Sequence, residues 1–209
     1  MDFNDTPEEA KFRKEVSDWL KENVKKIPEA NDASENSSLE RARAWMQIKH
    51  ESGWACLHWP KEYGGRDATA MERVIYSQEE AKYRLPNGFY EIGQGMAGPV
   101  MMMYATEEQK EKYLPPMANG KEIWCQLFSE PGAGSDLAGI KTKSELDGNT
   151  WTVNGQKVWT SGAHYSDYGI LITRSDFSAA KHKGLTYFFL DMKSPVSYTH
   201  LTLPTNCVV

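Results

Sequence analysis

Residues Trp124 to Asp136 read WCQLFSEPGAGSD, an apolar run that breaks into a Pro/Gly turn closed by a hydroxyl and a carboxylate. The apolar part, Ile123 to Phe128, suits a buried strand. Pro131, Gly132 and Gly134 then let the backbone bend sharply and come close to a ligand. Ser129 and Ser135 place hydroxyls at the rim, and successive N–H groups of such a turn form a concave donor nest for an anionic or carbonyl ligand.

Upstream of this stretch the chain reads as helical. Four segments match a capping box, in which two side chains satisfy orphan amides: Thr6 to Glu9, Ser37 to Glu40, Thr69 to Glu72 and Thr106 to Gln109. Phe12, Val16, Trp19 and Leu20 fall on one helical face, and Met96, Val100, Met103 and Tyr104 on another, so each helix carries a stripe to bury. The Met101-Met102-Met103 run is expected in the core. Residues 28–38 read as a loop, and Pro86-Asn87-Gly88 as a turn.

After Gly120 the pattern changes to short β-type runs: Ile123 to Phe128, Thr150 to Val153, Gln156 to Trp159, Tyr168 to Arg174 and Leu185 to Met192. Asn154-Gly155 between two of them predicts a type I′ hairpin turn. Helices first and strands second predicts an α+β fold, with an all-α domain over 1–120 followed by a mainly antiparallel β domain over 121–195. No G-x-G-x-x-G follows a strand, and no internal repeat is present.

With 209 residues, 40% of them hydrophobic, the chain can bury one large core or two small ones. No apolar stretch approaches the roughly 20 residues needed to span a bilayer, and the start lacks the basic and apolar regions of a signal peptide, so a cytoplasmic protein is expected. Cys56, Cys125 and Cys207 are odd in number and widely spaced, which fits free thiols in a reducing compartment. The five histidines show no metal-ligand spacing, so no metal site is expected. A net charge of −5 argues against nucleic acid as a partner.

WCQLFSEPGAGSD with the following Leu137 to Ile140 resembles the signature of the acyl-CoA dehydrogenase family. A second block, GQKVWTSGA from Gly155 to Ala163, is similar to that family's second flavin segment, and GWACLHWPKEYGG from Gly53 to Gly65 resembles its amino-terminal domain. The likeness runs from about Asp5 to about Ser194. It implies FAD as cofactor and α,β-dehydrogenation of an acyl-CoA thioester, with electrons passed to an electron-transferring flavoprotein.

By the same resemblance Gln126, Phe128 and Ser129 map onto the first flavin-binding strand, where donors stabilise charge developing on the ring. Gly134 and Ser135 fall in the loop that meets the flavin pyrophosphate, and Ser135 also maps to an acyl-CoA contact. Trp159, Thr160 and Ser161 match the second segment, an aromatic beside the ring and a hydroxyl in the third position, where the family commonly has threonine. Glu130 and Asp136 are expected to shape the loop and not to act as a catalytic pair. The family's glutamate base belongs to a carboxy-terminal helical bundle with no counterpart here, so no catalytic residue is assigned and the chain alone is expected to be inactive. A homo- or hetero-oligomer is implied, with a non-catalytic subunit of a heteromeric dehydrogenase, an acyl-CoA oxidase or a flavin monooxygenase as alternatives. Residues 196–209 do not resemble the continuation of the chain in that family and are expected to be a foreign tail, of the kind produced by adaptor read-through.

Overall fold

The computed structural model describes residues 4–194 and, by backbone alone, the strand at 205–208. The chain forms two compact units, Met1–Lys121 and Glu122–Val209. Residue 195 and most of the expected tail, residues 196–204 and 209, lie outside the described residues.

Among its described residues the first unit holds five α-helices: α1 (Pro7–Asn23), α2 (Glu35–Glu51), α3 (Ala70–Glu80), α4 (Gly98–Tyr104) and α5 (Glu107–Ala118). Complete capping boxes start α1, α3 and α5 at Thr6, Thr69 and Thr106, each satisfying two amides that the helix leaves orphaned. The α1 stripe docks as the spacing predicts. Val16 and Leu20 pack with Trp45, Trp54, Leu57 and Tyr76, with Phe12 and Trp19 at the edge of the cluster. Ring contacts bind this core further, Trp54 lying stacked on Tyr76 at 5.6 Å between centroids.

Two helical expectations are corrected. Ser37 is not a cap: α2 begins three residues earlier, behind Ser34, whose side chain accepts from the Ser37 amide, and the Ser37 hydroxyl instead accepts from the Asn31 amide. The predicted loop at 28–38 therefore ends at Ser34. Nor is the face of Met96, Val100, Met103 and Tyr104 the buried one. A π-helical turn at Gly93–Ala97 precedes α4 and widens the repeat, which rotates Ala97 and Met101 inward and leaves Met103 and Tyr104 exposed. Of the methionine run, only Met101 is fully buried.

The second unit is a six-stranded sheet of β1 (Trp124–Leu127), β2 (Lys143–Asp147), β3 (Thr150–Gly155), β4 (Tyr168–Arg174), β5 (Leu185–Asp191) and β6 (Thr205–Val208). It is mainly antiparallel, as expected for the α+β class; the exceptions are β1, which runs parallel to β4, and the single β2–β4 contact. One face buries Cys125, Leu127, Val153, Leu171, Phe188, Leu190 and Met192. Strand alternation sends Trp124, Gln126 and Phe128 to the opposite face of β1.

The hairpin lies elsewhere than predicted. Gly148, with φ +59°, turns β2 into β3, and Asn154-Gly155 is paired strand, opposite β6 and, at Asn154, Lys143 of β2. Gln156 to Trp159 lies outside the sheet. β2 escapes a search for apolar runs because its sequence, KSELD, is polar and mostly exposed. Gly155 is needed for a different reason: a Cβ there would stand 2.3 Å from the Thr142 hydroxyl and 2.6 Å from its Cα.

Candidate flavin-binding site

β1 delivers its last side chains into the loop that follows it. Glu130 and Ala133 exchange two backbone hydrogen bonds, 2.9 and 3.1 Å, around Pro131-Gly132, closing a two-residue turn. Glu130 then organises everything around that turn. Its carboxylate accepts from the amides of Lys141 at 2.7 Å and Thr142 at 2.9 Å, and from Lys157 Nζ at 2.9 Å, with both side chains of the ion pair only 7% exposed. Burial alone would raise the Glu130 pKa, but hydrogen bonding from Thr142, Lys141 and Lys157 outweighs it and the net shift is downward. Burial lowers the Lys157 pKa, opposed by Glu130. Neither Glu130 nor Asp136 is poised for proton transfer: Asp136 is exposed and bonded to Lys181 at 2.6 Å.

The same lysine joins the two motif segments. Lys157 Nζ donates to the Phe128 carbonyl at 3.0 Å, and one residue later the Val158 amide donates to the Ser129 carbonyl at 2.9 Å. Ser129 and the Trp159-Thr160-Ser161 stretch are thereby brought side by side. Gln126 and Phe128 reach the same strand end from the face opposite the core, Phe128 meeting Tyr187 edge-on at 6.3 Å. Gly134 and Ser135 lie farther along the loop, exposed and apart from the junction that gathers the other candidates. Arg174, buried, anchors the far end of that loop by donating to the carbonyls of Ala138 and Ile140 and, across the sheet end, to Lys181. Sequence reading missed Lys157 and Arg174, because a lone cation in a strand-like run carries no mark of its buried acceptor.

Trp159 is the anomaly of the unit. Its φ is +61°, a conformation that costs a non-glycine residue about 1–3 kcal/mol, and its indole is 89% exposed. Neither packing nor backbone preference accounts for a large aromatic held there. Next to it the Thr160 hydroxyl oxygen is buried with no hydrogen-bond partner among the described residues. A buried hydroxyl without a partner costs about 1–3 kcal/mol. An unsatisfied buried hydroxyl beside a strained backbone calls for an explanation, and a bound ligand is one.

Residues 6–121 match the acyl-CoA dehydrogenase N-terminal domain and residues 125–205 the acyl-CoA dehydrogenase middle domain. The chain belongs to the acyl-CoA dehydrogenase family. Acyl-CoA dehydrogenase IpdE1 of Mycobacterium tuberculosis H37Rv is 38% identical over 189 residues, 88% of this chain and 49% of that protein. Among solved structures, a steroid ACAD named Tcur3481-Tcur3483 is 30% identical with a TM-score of 0.76, over 94% of this chain and 50% of its own. The ChsE4-ChsE5 complex from Mycobacterium tuberculosis gives 30% identity and a TM-score of 0.73, over 100% of this chain and 54% of its own. The chain thus spans about half the length of the relatives it matches. No helix among its described residues is long and apolar enough to cross a membrane.

The cofactor of an acyl-CoA dehydrogenase fits what the β unit offers. Thr160 has a buried hydroxyl lacking a partner, Trp159 an open aromatic face, and Ser129 and Ser161 hydroxyls with no hydrogen bond among the described residues. A Cβ at Gly134 would meet nothing within 4 Å, so the loop faces open space at this position.

Proposed function

We propose that this chain is the FAD-binding portion of an enzyme that dehydrogenates an acyl-CoA thioester at its α and β carbons. The observation that carries the reading is the junction of the two motif segments, where a strained, exposed Trp159 and a partnerless Thr160 hydroxyl stand beside Ser129. Bound FAD supplies the two-electron acceptor for that reaction. Gln126, Phe128 and Ser129 hold one edge of the ring system, with Ser129 donating a hydrogen bond. Trp159 covers its flank, and Thr160 and Ser161 supply hydroxyl donors on the second segment. Such fixed donors favour negative charge that develops during the reaction, because they need no reorganisation when it appears. Gly134 and Ser135 bind the phosphate-bearing part of the cofactor, and Ser135 also meets the acyl-CoA. No residue of this chain is assigned as the base. The enzyme is cytoplasmic and delivers its electrons to an electron-transferring flavoprotein.

The test is flavin absorbance under anaerobic conditions with a series of acyl-CoA thioesters. A protein of full family length bleaches on mixing, whereas the 209-residue chain alone binds FAD and does not bleach. Bleaching by the chain alone would overturn the placement of the base outside it.

A second reading is favoured by the names of the two solved relatives, both of which pair two chains: this chain belongs to one subunit of a heteromeric dehydrogenase. Copurification with a differently encoded dehydrogenase subunit supports it, and a homo-oligomer of full activity contradicts it.

A further inference from the structure

The loop between β1 and β2 is held at its ends and at its crown, and the stretch between these anchors is exposed. At the ends, Glu130 closes the turn to Ala133 and accepts from the amides of Lys141 and Thr142. At the crown, a short 3-10 helix over Leu137–Gly139 hangs from Arg174. Gly134 and Ser135 lie exposed between the two.

Arg174 does more than close one loop. Its side chain is buried, and its guanidinium donates to the main-chain carbonyls of Ala138, of Ile140 at 3.3 Å and of Lys181 at 3.1 Å. The first two acceptors belong to the β1–β2 loop and the third to the loop that joins β4 to β5. That second loop closes tightly beside the guanidinium: a Cβ at Gly184 would stand 2.0 Å from the Asp176 carbonyl oxygen and 3.1 Å from Arg174 Nη1. Lys181 adds another tie between the loops, donating to the Asp136 carboxylate at 2.6 Å.

A buried charge is normally paired with its opposite. Arg174 forms no ion pair among the described residues, and the acids of the two loops are committed elsewhere. Asp136 bonds Lys181, and Asp176 accepts from the amides of Ser178 and Ala179 at 2.8 and 3.2 Å and from the Ser178 hydroxyl at 2.7 Å. Neutral carbonyls therefore immobilise the guanidinium without cancelling its charge. Ser135 precedes Ala138 by three residues, so even a fully extended chain keeps their Cα atoms within about 11 Å. That is close to the screening length of roughly 10 Å in 0.1 M salt. A standing positive field at an exposed loop favours an anion there, and a loop fixed beforehand loses less freedom when it binds one.

We infer that Arg174 is the positioning residue for phosphate binding at Gly134-Ser135: it fixes the 3-10 helix that follows them, ties it to the β4–β5 loop and leaves its charge uncancelled. This rests on the reading of Gly134 and Ser135 as the contact with the phosphate-bearing part of FAD. Arg174 acts through the loop and does not itself touch the cofactor.

FAD and riboflavin share the ring system and differ in the pyrophosphate and adenosine, so together they separate this role from general support of the fold. Titrated with the purified 209-residue chain, FAD binds at least tenfold tighter than riboflavin. Arg174→Gln weakens FAD binding at least tenfold and riboflavin binding less than twofold. Arg174→Lys guards against a glutamine variant that does not fold: it keeps the charge but loses the planar fork that spans the carbonyls, and weakens FAD at least threefold with riboflavin unchanged. A second readout needs no flavin. The amides of Gly139 and Lys183, bonded to the carbonyls of Asp136 and Ala180, lose protection from hydrogen exchange in either variant, while the amide of Ala133 keeps it. A parent chain that binds neither flavin, or both equally, fails the phosphate reading of Gly134 and Ser135 and the inference with it. A parent that prefers FAD, with folded variants that weaken both flavins equally or neither, overturns the role of Arg174 alone, as does unchanged exchange at Gly139 and Lys183.

Discussion

Lys157 Nζ lies 2.9 Å from Glu130 Oε1, both side chains almost wholly buried, and the same ammonium also holds the Phe128 carbonyl. One lysine therefore fixes the strand end, the turn after it and the second motif segment together. Removing one member of a buried pair leaves the other charge unpaired, at a cost of about 3–5 kcal/mol. Lys157→Met is expected to destabilise the chain by about that much in a urea titration. Glu130 keeps its two amide donors in that variant, so a loss at the lower end of the range is the closer expectation.

The acid limb of stability arises from the same carboxylate. The folded-state pKa of Glu130 is lowered from its ordinary 4.5, so over the window below 4.5 the unfolded chain binds more protons than the folded one. This part of the stability is present above pH 4.5 and lost as pH falls through the lowered value. Melting temperatures measured downward from about pH 6 should fall less steeply for Glu130→Gln than for the parent chain.

Trp159→Gly separates strain from function. At φ +61° glycine carries no penalty and the exposed indole gives up little burial, so the variant should be more stable by about 1 kcal/mol. FAD affinity should fall at the same time. A destabilised variant would show that the indole is held by packing within the unit.

Gly155→Ala tests the close approach of β3 to Thr142. The new methyl has nowhere to go without moving backbone, and overpacking of this kind costs about 1–3 kcal/mol. The loss should appear in chemical denaturation with the helical unit's spectrum unchanged.

Much of the fold is legible in the sequence because local chemistry and final structure agree. Thr6, Thr69 and Thr106 cap the helices their boxes predict, and β4 spans Tyr168–Arg174 as its apolar run indicates. The failures have physical causes. Asn154-Gly155 has the composition of a tight turn, but the turn goes to Gly148, and Gly155 serves the approach to Thr142. The α4 stripe is displaced because a π-turn alters the repeat, and nothing in GQGMA announces one. In the site, the motif residues Ser129, Trp159, Thr160 and Ser161 can be named from the resemblance, whereas Lys157 and Arg174 cannot, since their role rests on carbonyls and a carboxylate brought near only by folding.

The most direct measurement is the absorbance spectrum of FAD titrated with the purified chain, compared with the variant carrying both Ser129→Ala and Ser161→Ala. The expected result is a saturable, shifted flavin band with the parent chain and an affinity at least tenfold weaker with the variant, the size expected for two lost hydrogen bonds of about 1 kcal/mol each. A parent chain that leaves the flavin spectrum unchanged, or a variant that binds as tightly as the parent, would contradict the assignment of the two segments as one flavin site.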